Sequence, residues 1–146
     1  MEERNIYSDI AQRTNGDIYI GVVGPVRTGK STFIKRFMDV LVLPKMTDEH
    51  AKERTVDELP QSASGKSIMT TEPKFIPKEA ANVKLFGENE VKIRLIDCVG
   101  YIVKGAEGLY EEQNERMVMT PWSESPMPFT QAAEFGTRKV IHDHST

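Results

Sequence analysis

The chain has 146 residues, of which 38% are hydrophobic and 28% are charged, as is typical of a soluble globular protein with one domain. Its formal net charge of −3 argues against nucleic acid as the main partner. The single cysteine excludes an internal disulfide and fits a reducing cytosol. The polar start predicts no secretory signal, and no apolar stretch reaches the length of a membrane-spanning helix.

The first predicted elements are a strand and the helix that follows it. Residues 1–16 form an N-terminal extension, and residues 17–23 are apolar on both faces, as in a central parallel strand. A helix is predicted from residue 31 to about residue 43, where Pro44 ends it. Its apolar positions predict one core-facing stripe, made of Phe33, Ile34, Phe37, Met38 and Leu41.

A complete G-x-x-x-x-G-K-S phosphate loop, residues 24–31, connects this strand to this helix. The strand–loop–helix context favours a nucleotide site over a chance glycine turn, because backbone N–H groups and the helix N-terminus can then surround phosphates. Lys30 would place its charge on the β- and γ-phosphates, and Ser31 would offer its hydroxyl to Mg²⁺. The predicted nucleotide-binding residues here are Gly24, Pro25, Val26, Arg27, Thr28, Gly29, Lys30, Ser31 and Thr32.

The region from residue 45 to residue 78 has no strong core pattern. Residues 47–54 predict a solvated helix, and residues 59–65 a turn-rich loop. Long loops in compact domains are often functional, and switch proteins place a phosphate-sensing threonine in a loop at this point. Thr70 and Thr71 are therefore candidates to bind Mg²⁺ and sense the γ-phosphate; the alternative is an ordinary pair of threonines at a strand start.

Residues 83–86 and 91–96 predict two strands joined by a tight turn, which makes an antiparallel hairpin. The second strand ends at Asp97, and a carboxylate there belongs beside the phosphate loop, so this strand should run parallel to the first. Asp97 would hold Mg²⁺ through a water, because magnesium gives up its hydration shell reluctantly. Gly100 would let its N–H approach the γ-phosphate; the alternative is an ordinary turn after a strand.

A hairpin inside a parallel sheet is typical of switch proteins. We therefore predict an α/β, three-layer phosphate-loop NTPase fold of the translation-factor-type GTPase class, with a mixed sheet and a truncated end. Residues 17–146 would form the N-terminal part of that domain.

The last part of the chain carries weaker signals. Tyr101 stands where many proteins of this fold have a water-orienting glutamine, which predicts slow hydrolysis. A final helix is predicted with Ser125 as its cap and Pro126 in its first turn. Its narrow face of mostly small residues would comprise Phe129, Ala132, Ala133, Gly136 and Val140. Cys98 is predicted to be a buried small residue, and residues 142–144 an exposed helix end rather than a metal site.

Arg27 occupies the fourth position of the phosphate loop, near the oxygens that bridge the β- and γ-phosphates. Proteins of this fold often need a cation there, either potassium or an arginine from a partner. Arg27 is therefore a candidate built-in catalytic cation. The alternative, held equal, is that it points to solvent or pairs with a carboxylate.

Several longer segments resemble the stage IV sporulation protein A family, the spore-coat morphogenetic ATPases of endospore-forming bacteria. The most specific are Thr-Thr-Glu-Pro-Lys-Phe at residues 70–75 and Asp-Cys-Val-Gly-Tyr at residues 97–101. The loop segment 17–38 and residues 57–63, 68–69, 93–96, 120–122 and 136–141 also match. Family members continue far beyond residue 146, so the chain resembles a fragment.

This resemblance implies ATP with Mg²⁺ as ligands, and hydrolysis that drives self-assembly into a shell, the basement layer of the spore coat. It also implies three kinds of partner: further copies of the protein, other spore-coat proteins, and a small amphipathic membrane-anchoring peptide, stage V sporulation protein M. The implied location is the mother-cell cytoplasm, peripherally attached to the outer forespore membrane through that peptide.

Two functions are consistent with these residues: an ATPase whose turnover drives assembly, or a GTP-binding switch or scaffold with negligible hydrolysis. The Asn/Thr-Lys-x-Asp tetrapeptide that reads a guanine base does not occur in the 146 residues. The choice of ATP over GTP therefore depends on the resemblance alone.

Overall fold

The computed structural model describes residues 14–60, 73–85, 89–98, 100–102, 110–111 and 114–146. The described part is a mixed α/β structure around a three-stranded sheet. Its strands are β1 (Asp17–Val22), β2 (Lys74–Leu85) and β3 (Asn89–Asp97), in the order β1-β3-β2. Helical segments pack on both faces of this sheet.

The strand directions agree with the prediction. β1 and β3 are parallel, with Val22 opposite Asp97, so both strands end at the same edge of the sheet. β2 and β3 form the predicted antiparallel hairpin. The phosphate loop follows β1, and the segment with Gly100 follows β3, so the sheet alone brings the two motifs together.

β2 begins at Lys74, nine residues before the strand predicted from residue 83. The prediction was wrong because the pairing of β2 with β3 is irregular between Ile76 and Ala81. An irregularity of this kind interrupts the alternation of apolar and polar residues by which strands are recognised. Ile76 is nevertheless fully buried in the main core, so the region before residue 78 does contribute core residues.

Two helices cover one face of the sheet. α1 (Lys30–Phe37) continues as a π-helical turn (Met38–Val42) and a short 3₁₀ turn (Leu43–Lys45), and α2 spans Glu49–Glu58. Thus the helix after the loop ends near Pro44, as predicted, and the solvated helix exists but extends further than residue 54. The core between these helices and the sheet includes Ile34, Met38, Val42, Met46, Leu59, Ile76, Val83, Ile93 and Leu95.

The predicted apolar stripe of α1 divides between two faces. Ile34 and Met38 are fully buried, whereas 52% of Phe33 and 46% of Leu41 remain exposed. On a regular α-helix the five positions form one arc with Phe33 at its edge. From Met38 the helix is π-helical, which changes the periodicity and takes Leu41 out of the buried row.

A third helix, α3 (Phe129–Lys139), continues as a π-helical turn (Val140–His144) and packs against the other face. The five predicted inward residues of this helix, Phe129 to Val140, are all buried. The helix starts at Phe129, however, and not at Ser125 with Pro126, because Met127–Pro128 pairs with Met117–Val118 as a short antiparallel ribbon. Strand pairing therefore holds these residues extended.

β1 forms one edge of the described sheet, and the last residue lies against it. The N–H of Thr146 donates to the Tyr19 carbonyl at 2.8 Å, and the N–H of Tyr19 donates to the Thr146 hydroxyl at 2.9 Å. Within the described residues, no helix is long and apolar enough to cross a membrane.

Candidate functional site

The phosphate loop has the backbone shape that its glycines allow. Gly29 has φ of 94°, in the left-handed region, and comes directly before the first residue of α1. A Cβ at Gly29 would meet no atom within 4 Å, so the backbone conformation, and not space, favours glycine there. Arg27 also has a positive φ, 56°, and its side chain is exposed.

The N-terminus of α1 has no side-chain cap, and its first turn contains no acidic residue. The first N–H groups of a helix have no partner within the helix, and they favour an anion. The loop and helix together therefore form a place where phosphate oxygens can accept hydrogen bonds from the backbone.

Ser31 and Asp97 lie together although 66 residues separate them in the chain. The Ser31 hydroxyl donates to Oδ2 of Asp97 at 3.1 Å. Ser31 is in the first turn of α1 and Asp97 ends β3, so the parallel pairing of β1 and β3 produces this contact.

Lys30 folds back on its own loop. Its Nζ donates to the Pro25 carbonyl at 2.6 Å and to the Gly24 carbonyl at 3.3 Å. Burial lowers the pKa of Lys30, and the nearby carboxylate of Asp97 partly opposes this. Burial raises the pKa of Asp97, opposed first by the Ser31 hydrogen bond and then by Lys30. Both charged groups are thus partly desolvated, so both gain from a bound group of opposite charge.

Residues 100 and 101 form a wall against the loop. The N–H of Tyr101 donates to the Gly24 carbonyl at 3.1 Å, and the N–H of Val26 donates to the Tyr101 carbonyl at 2.9 Å. Gly100 is buried with φ of 89°, and a Cβ there would lie 1.9 Å from the Gly24 carbonyl oxygen and 2.7 Å from Nζ of Lys30. Only glycine fits at this point.

Cys98 lies beneath the loop and is buried, as predicted. Its Sγ donates to the Val22 carbonyl at 3.4 Å and accepts from the Thr137 hydroxyl at 3.8 Å, so it connects the ends of β1 and β3 with α3. Burial raises the pKa of the Cys98 thiol, which keeps it protonated and unreactive.

The structure gathers most of the predicted site residues. All nine loop residues from Gly24 to Thr32 lie in or directly after the loop, with Asp97 and Gly100 beside them. The side chain of Val26 is buried and its N–H donates to the Tyr101 carbonyl, so Val26 holds the shape of the loop, and its contact with a nucleotide stays a prediction. Thr70 and Thr71 lie outside the described residues, and their assignment stays a prediction.

Sequence reasoning missed the pairing of Tyr101 with the loop and the internal hydrogen bond of Thr28. The Thr28 hydroxyl donates to the Pro25 carbonyl at 2.7 Å. Backbone pairing between distant segments has no residue signature, so only tertiary structure could place Tyr101. The threonine three residues after Pro25 was a usable signal, because Ser and Thr hydroxyls commonly bond nearby backbone in turns.

The donor set at Ser31 and Asp97 fits Mg²⁺. Magnesium prefers oxygen ligands and usually takes one or two protein groups, with water and phosphates completing the set. Across the described residues, no cluster of three or more His, Cys, Asp or Glu side chains could hold a metal. Residues 142–144 were predicted to be an exposed helix end. His142 and Asp143 are exposed, but His144 is partly buried, because its ring packs 5.5 Å from that of Phe75. Asp143 pairs with Lys139 at 2.6 Å.

Comparison with known proteins gives a consistent result. A family model described as "Stage IV sporulation protein A, ATPase domain" matches residues 1–146. The chain is 60% identical to stage IV sporulation protein A of Bacillus subtilis (strain 168) and 59% identical to that of Bacillus anthracis. Both matches cover all 146 residues of this chain. It is 60% identical over 142 residues to the protein of Clostridioides difficile (strain 630), which is 97% of the chain.

The chain spans 30% of the length of the two Bacillus relatives and 29% of the Clostridioides relative. No solved structure matches it.

Proposed function

This chain belongs to the stage IV sporulation protein A family, through its ATPase domain, and we propose that it binds ATP with Mg²⁺ and hydrolyses the γ-phosphate. The observation that carries the proposal is the 3.1 Å contact between the Ser31 hydroxyl and the Asp97 carboxylate, at the N-terminus of an uncapped helix. We also propose that the mixed sheet is part of a phosphate-loop NTPase fold of the translation-factor-type GTPase class.

The residues divide the work as follows. Lys30 binds the phosphates with its third N–H donor, beyond the two that contact the loop carbonyls, and N–H groups of the loop and of the first turn of α1 bind phosphate oxygens. Ser31 and Asp97 would hold Mg²⁺. When bound, Mg²⁺ supplies positive charge that offsets the charge of the phosphates.

The remaining assignments concern the γ-phosphate. Thr70 or Thr71 senses it, and Gly100 approaches it with its backbone N–H. Arg27 supports hydrolysis as a cation near the bridging oxygens, and its position in the exposed part of the loop is compatible with this role. Tyr101 cannot orient a water as an amide does, so turnover is slow.

We further propose that hydrolysis in the whole protein drives self-assembly into the basement layer of the spore coat. The partners are other copies of the protein, further spore-coat proteins, and stage V sporulation protein M, which attaches the layer to the outer forespore membrane on the mother-cell side. These roles rest on family membership, and they belong to polypeptides about three times as long as this chain.

The site is tested with Lys30→Ala and Asp97→Ala in the longest natural polypeptide that contains this chain. Lys30→Ala should weaken Mg-ADP and Mg-ATP binding at least about tenfold, because it removes a cation from the phosphates. Asp97→Ala should reduce ATP turnover more than nucleotide affinity, because it loosens Mg²⁺. Equilibrium binding of fluorescent nucleotides and phosphate release measure these two effects.

Matched controls are Lys35→Ala and Asp57→Ala, which remove exposed charges of the same type elsewhere. Both should bind and hydrolyse ATP normally. Normal binding and turnover in both site variants would disprove the site. Competition of ATP with GTP separates this function from its alternative, a GTP-binding switch with negligible hydrolysis, which predicts a preference for GTP and no phosphate release.

A further inference from the structure

Lys74 is a cation at the edge of the candidate site, and the proposed mechanism gives it no role. It is the first residue of β2 and lies directly opposite Asp97, the last residue of β3. Directly opposed residues of an antiparallel pair have Cβ atoms about 5 Å apart. The strand order β1-β3-β2 therefore places Lys74 on the side of Asp97 that is away from the phosphate loop.

The regular pairing at this end of β2 shows to which face of the sheet the Lys74 side chain points. Side chains alternate between faces along a strand, so Lys74 shares a face with Ile76, and Asp97 shares a face with Leu95. Ile76 and Leu95 are themselves opposed, and both pack in the core beneath α1 and α2. Lys74 and Asp97 thus point to the face that carries α1, whose N-terminus is the proposed phosphate site.

The charge of Lys74 reaches the carboxylate at the centre of the site. Lys74 is exposed on a flexible stem, whereas Asp97 is half-buried. Burial raises the pKa of Asp97, and the ammonium of Lys74 opposes this after the Ser31 hydrogen bond and Lys30. Asp97 therefore lies between two lysines, Lys30 from the loop after β1 and Lys74 from β2.

The position of Lys74 favours contact with the last phosphate of a nucleotide. In the proposed function the loop after β1 binds the phosphates and Asp97 holds the metal, which in phosphate-loop proteins bridges the β- and γ-phosphates. The γ-phosphate would therefore lie at the Asp97 end of the phosphate chain. Since β2 is the next strand in this direction, Lys74 would be nearer to the γ-phosphate than to the α-phosphate.

We propose that Lys74 binds the γ-phosphate and thereby makes the site distinguish ATP from ADP. This inference rests on the proposed function, in which the loop binds the phosphates and Asp97 holds the metal. The lysine ammonium is a compact, mobile point charge, and lysine is a common phosphate ligand. Hydrolysis and release of the γ-phosphate remove the contact of Lys74 and leave the contacts of Lys30.

A purely structural role for Lys74 makes a different prediction. Opposite charges on directly opposed residues stabilise a sheet weakly. If Lys74 only supported Asp97 in this way, its loss would lower stability equally with and without nucleotide. It would also change the affinities for ATP and ADP by the same factor. A contact with the γ-phosphate instead changes the affinity for the triphosphate alone.

The experiment compares Lys74→Gln with Lys74→Arg in the longest natural polypeptide that contains this chain. Glutamine removes the charge and stays polar, whereas arginine keeps the charge. The probes are Mg-ADP and Mg-AMP-PNP, an ATP analogue that resists hydrolysis, each measured by equilibrium titration. We expect Lys74→Gln to bind Mg-AMP-PNP about threefold to tenfold more weakly, because an exposed charge-assisted contact is lost. It should bind Mg-ADP within about twofold of the parent protein, and Lys74→Arg should do so with both probes.

Lys84→Gln is the matched control. Lys84 is also an exposed lysine of β2 opposite an acidic residue of β3, Glu90, but it lies at the other end of the hairpin. This variant should bind both probes like the parent protein. Added salt should reduce the effect of Lys74→Gln on Mg-AMP-PNP binding, because salt screens exposed charges. Without nucleotide, Lys74→Gln should unfold within about 2 °C of the parent protein.

The inference is wrong if Lys74→Gln binds Mg-AMP-PNP like the parent protein, if it weakens both probes by the same factor, or if Lys74→Arg is impaired as much as Lys74→Gln. Failure of this inference is distinguishable from failure of the proposed function. If Lys30→Ala loses binding while Lys74→Gln keeps the parent's ratio of the two affinities, only the role of Lys74 is disproved. If Lys30→Ala binds both probes normally, the nucleotide site itself is disproved.

Discussion

The N-termini of α1 and α2 meet the same physical requirement in opposite ways. At α2, Oδ1 of Asp48 accepts the N–H groups of His50 at 3.0 Å and Ala51 at 3.1 Å. At α1, Gly29 precedes the helix and provides no side-chain cap. The carboxylate of Asp48 thus accepts hydrogen bonds from the first N–H groups of α2. The first N–H groups of α1 have no such side-chain acceptor at Gly29, and we propose that they bind an external anion.

The third helix supports this comparison. The N-terminus of α3 also has no cap of its own, but a carboxylate from another segment, Oε1 of Glu115, accepts the Thr130 N–H at 2.9 Å. Two of the three α-helices in the described part of the chain therefore have a carboxylate at the N-terminus. Within the described residues, the helix that follows the glycine loop has no such cap, and we propose its N-terminus as the phosphate site.

Adding an acidic cap residue at the N-terminus of α1 should have the largest effect on nucleotide binding. Gly29→Asp places a carboxylate where we propose that the phosphates bind, and we expect nucleotide affinity to fall at least about 10²-fold, from charge repulsion and from a strained positive φ. Binding of Mg-ADP measures the change.

Gly29→Asn is the control for that exchange. Asparagine tolerates a positive φ better than most residues and carries no charge, and a Cβ at this position meets no atom within 4 Å. It should bind nucleotide more tightly than Gly29→Asp. Equal affinity of the two variants would show that charge at this helix end is irrelevant.

The wall of the site gives the next largest effect. Gly100→Ala puts a Cβ 1.9 Å from the Gly24 oxygen, so the segment must move away and lose its pairing with the loop. We expect about tenfold to 10²-fold weaker nucleotide binding, with reduced turnover. Such a loss would show that nucleotide binding at the uncapped N-terminus of α1 also requires the close packing of Gly100 against the loop.

Gly16→Ala is the matched control for that variant. Gly16 also has a positive φ, 82°, but its Cβ would meet nothing closer than the Glu90 oxygen at 3.9 Å. It carries a similar backbone strain without the collision. If Gly16→Ala weakened nucleotide binding as much as Gly100→Ala, strain alone would explain the effect and the wall would have no special role.

Removal of the α2 cap should have the smallest effect. The N–H groups, first that of Ala51, hold the pKa of Asp48 below its usual value. A carboxylate whose folded pKa is depressed stabilises the helix above its unfolded pKa, about 3.9, and this contribution is lost as the pH falls through the lower folded value.

Asp48→Ala should therefore speed amide hydrogen exchange in the first turn of α2 at neutral pH, leave nucleotide binding unchanged, and abolish the acid-dependent loss of protection there. Glu53→Ala, an exposed acidic residue in the middle of the same helix, should leave the first turn intact. Unchanged exchange in Asp48→Ala would mean that the cap contributes nothing measurable.

Local patterns predicted those parts of the molecule that local physics determines. The loop motif, the strand before it and the hairpin depend on residue spacing over short distances. The structure has the strand where it was predicted and pairs the two hairpin strands antiparallel as predicted, although the first of them starts earlier. The buried face of α3 was also correct because helical periodicity determined it.

The errors have a physical cause as well. The start of β2 at Lys74 was missed because its pairing is irregular. The exposure of Phe33 and Leu41 was missed because the packing of α1 on the sheet and its π-helical turn decide which part of the stripe is buried. The start of α3 was missed because a ribbon holds residues 127–128 extended. Each depends on a partner that is distant in the chain.

The amino-acid sequence by itself determined the chemical groups of the site and the family: a glycine loop with Lys30 and Ser31, a carboxylate at Asp97, and long segments shared with relatives. Only the tertiary structure decided that Ser31 reaches Asp97, that Gly100 and Tyr101 close the loop, and that Lys30 and Thr28 share the Pro25 carbonyl. The reason is that almost every residue type can form backbone hydrogen bonds, so the amino-acid sequence does not indicate which backbone groups will pair. The parallel pairing of β1 and β3 decides which of these hydrogen bonds form.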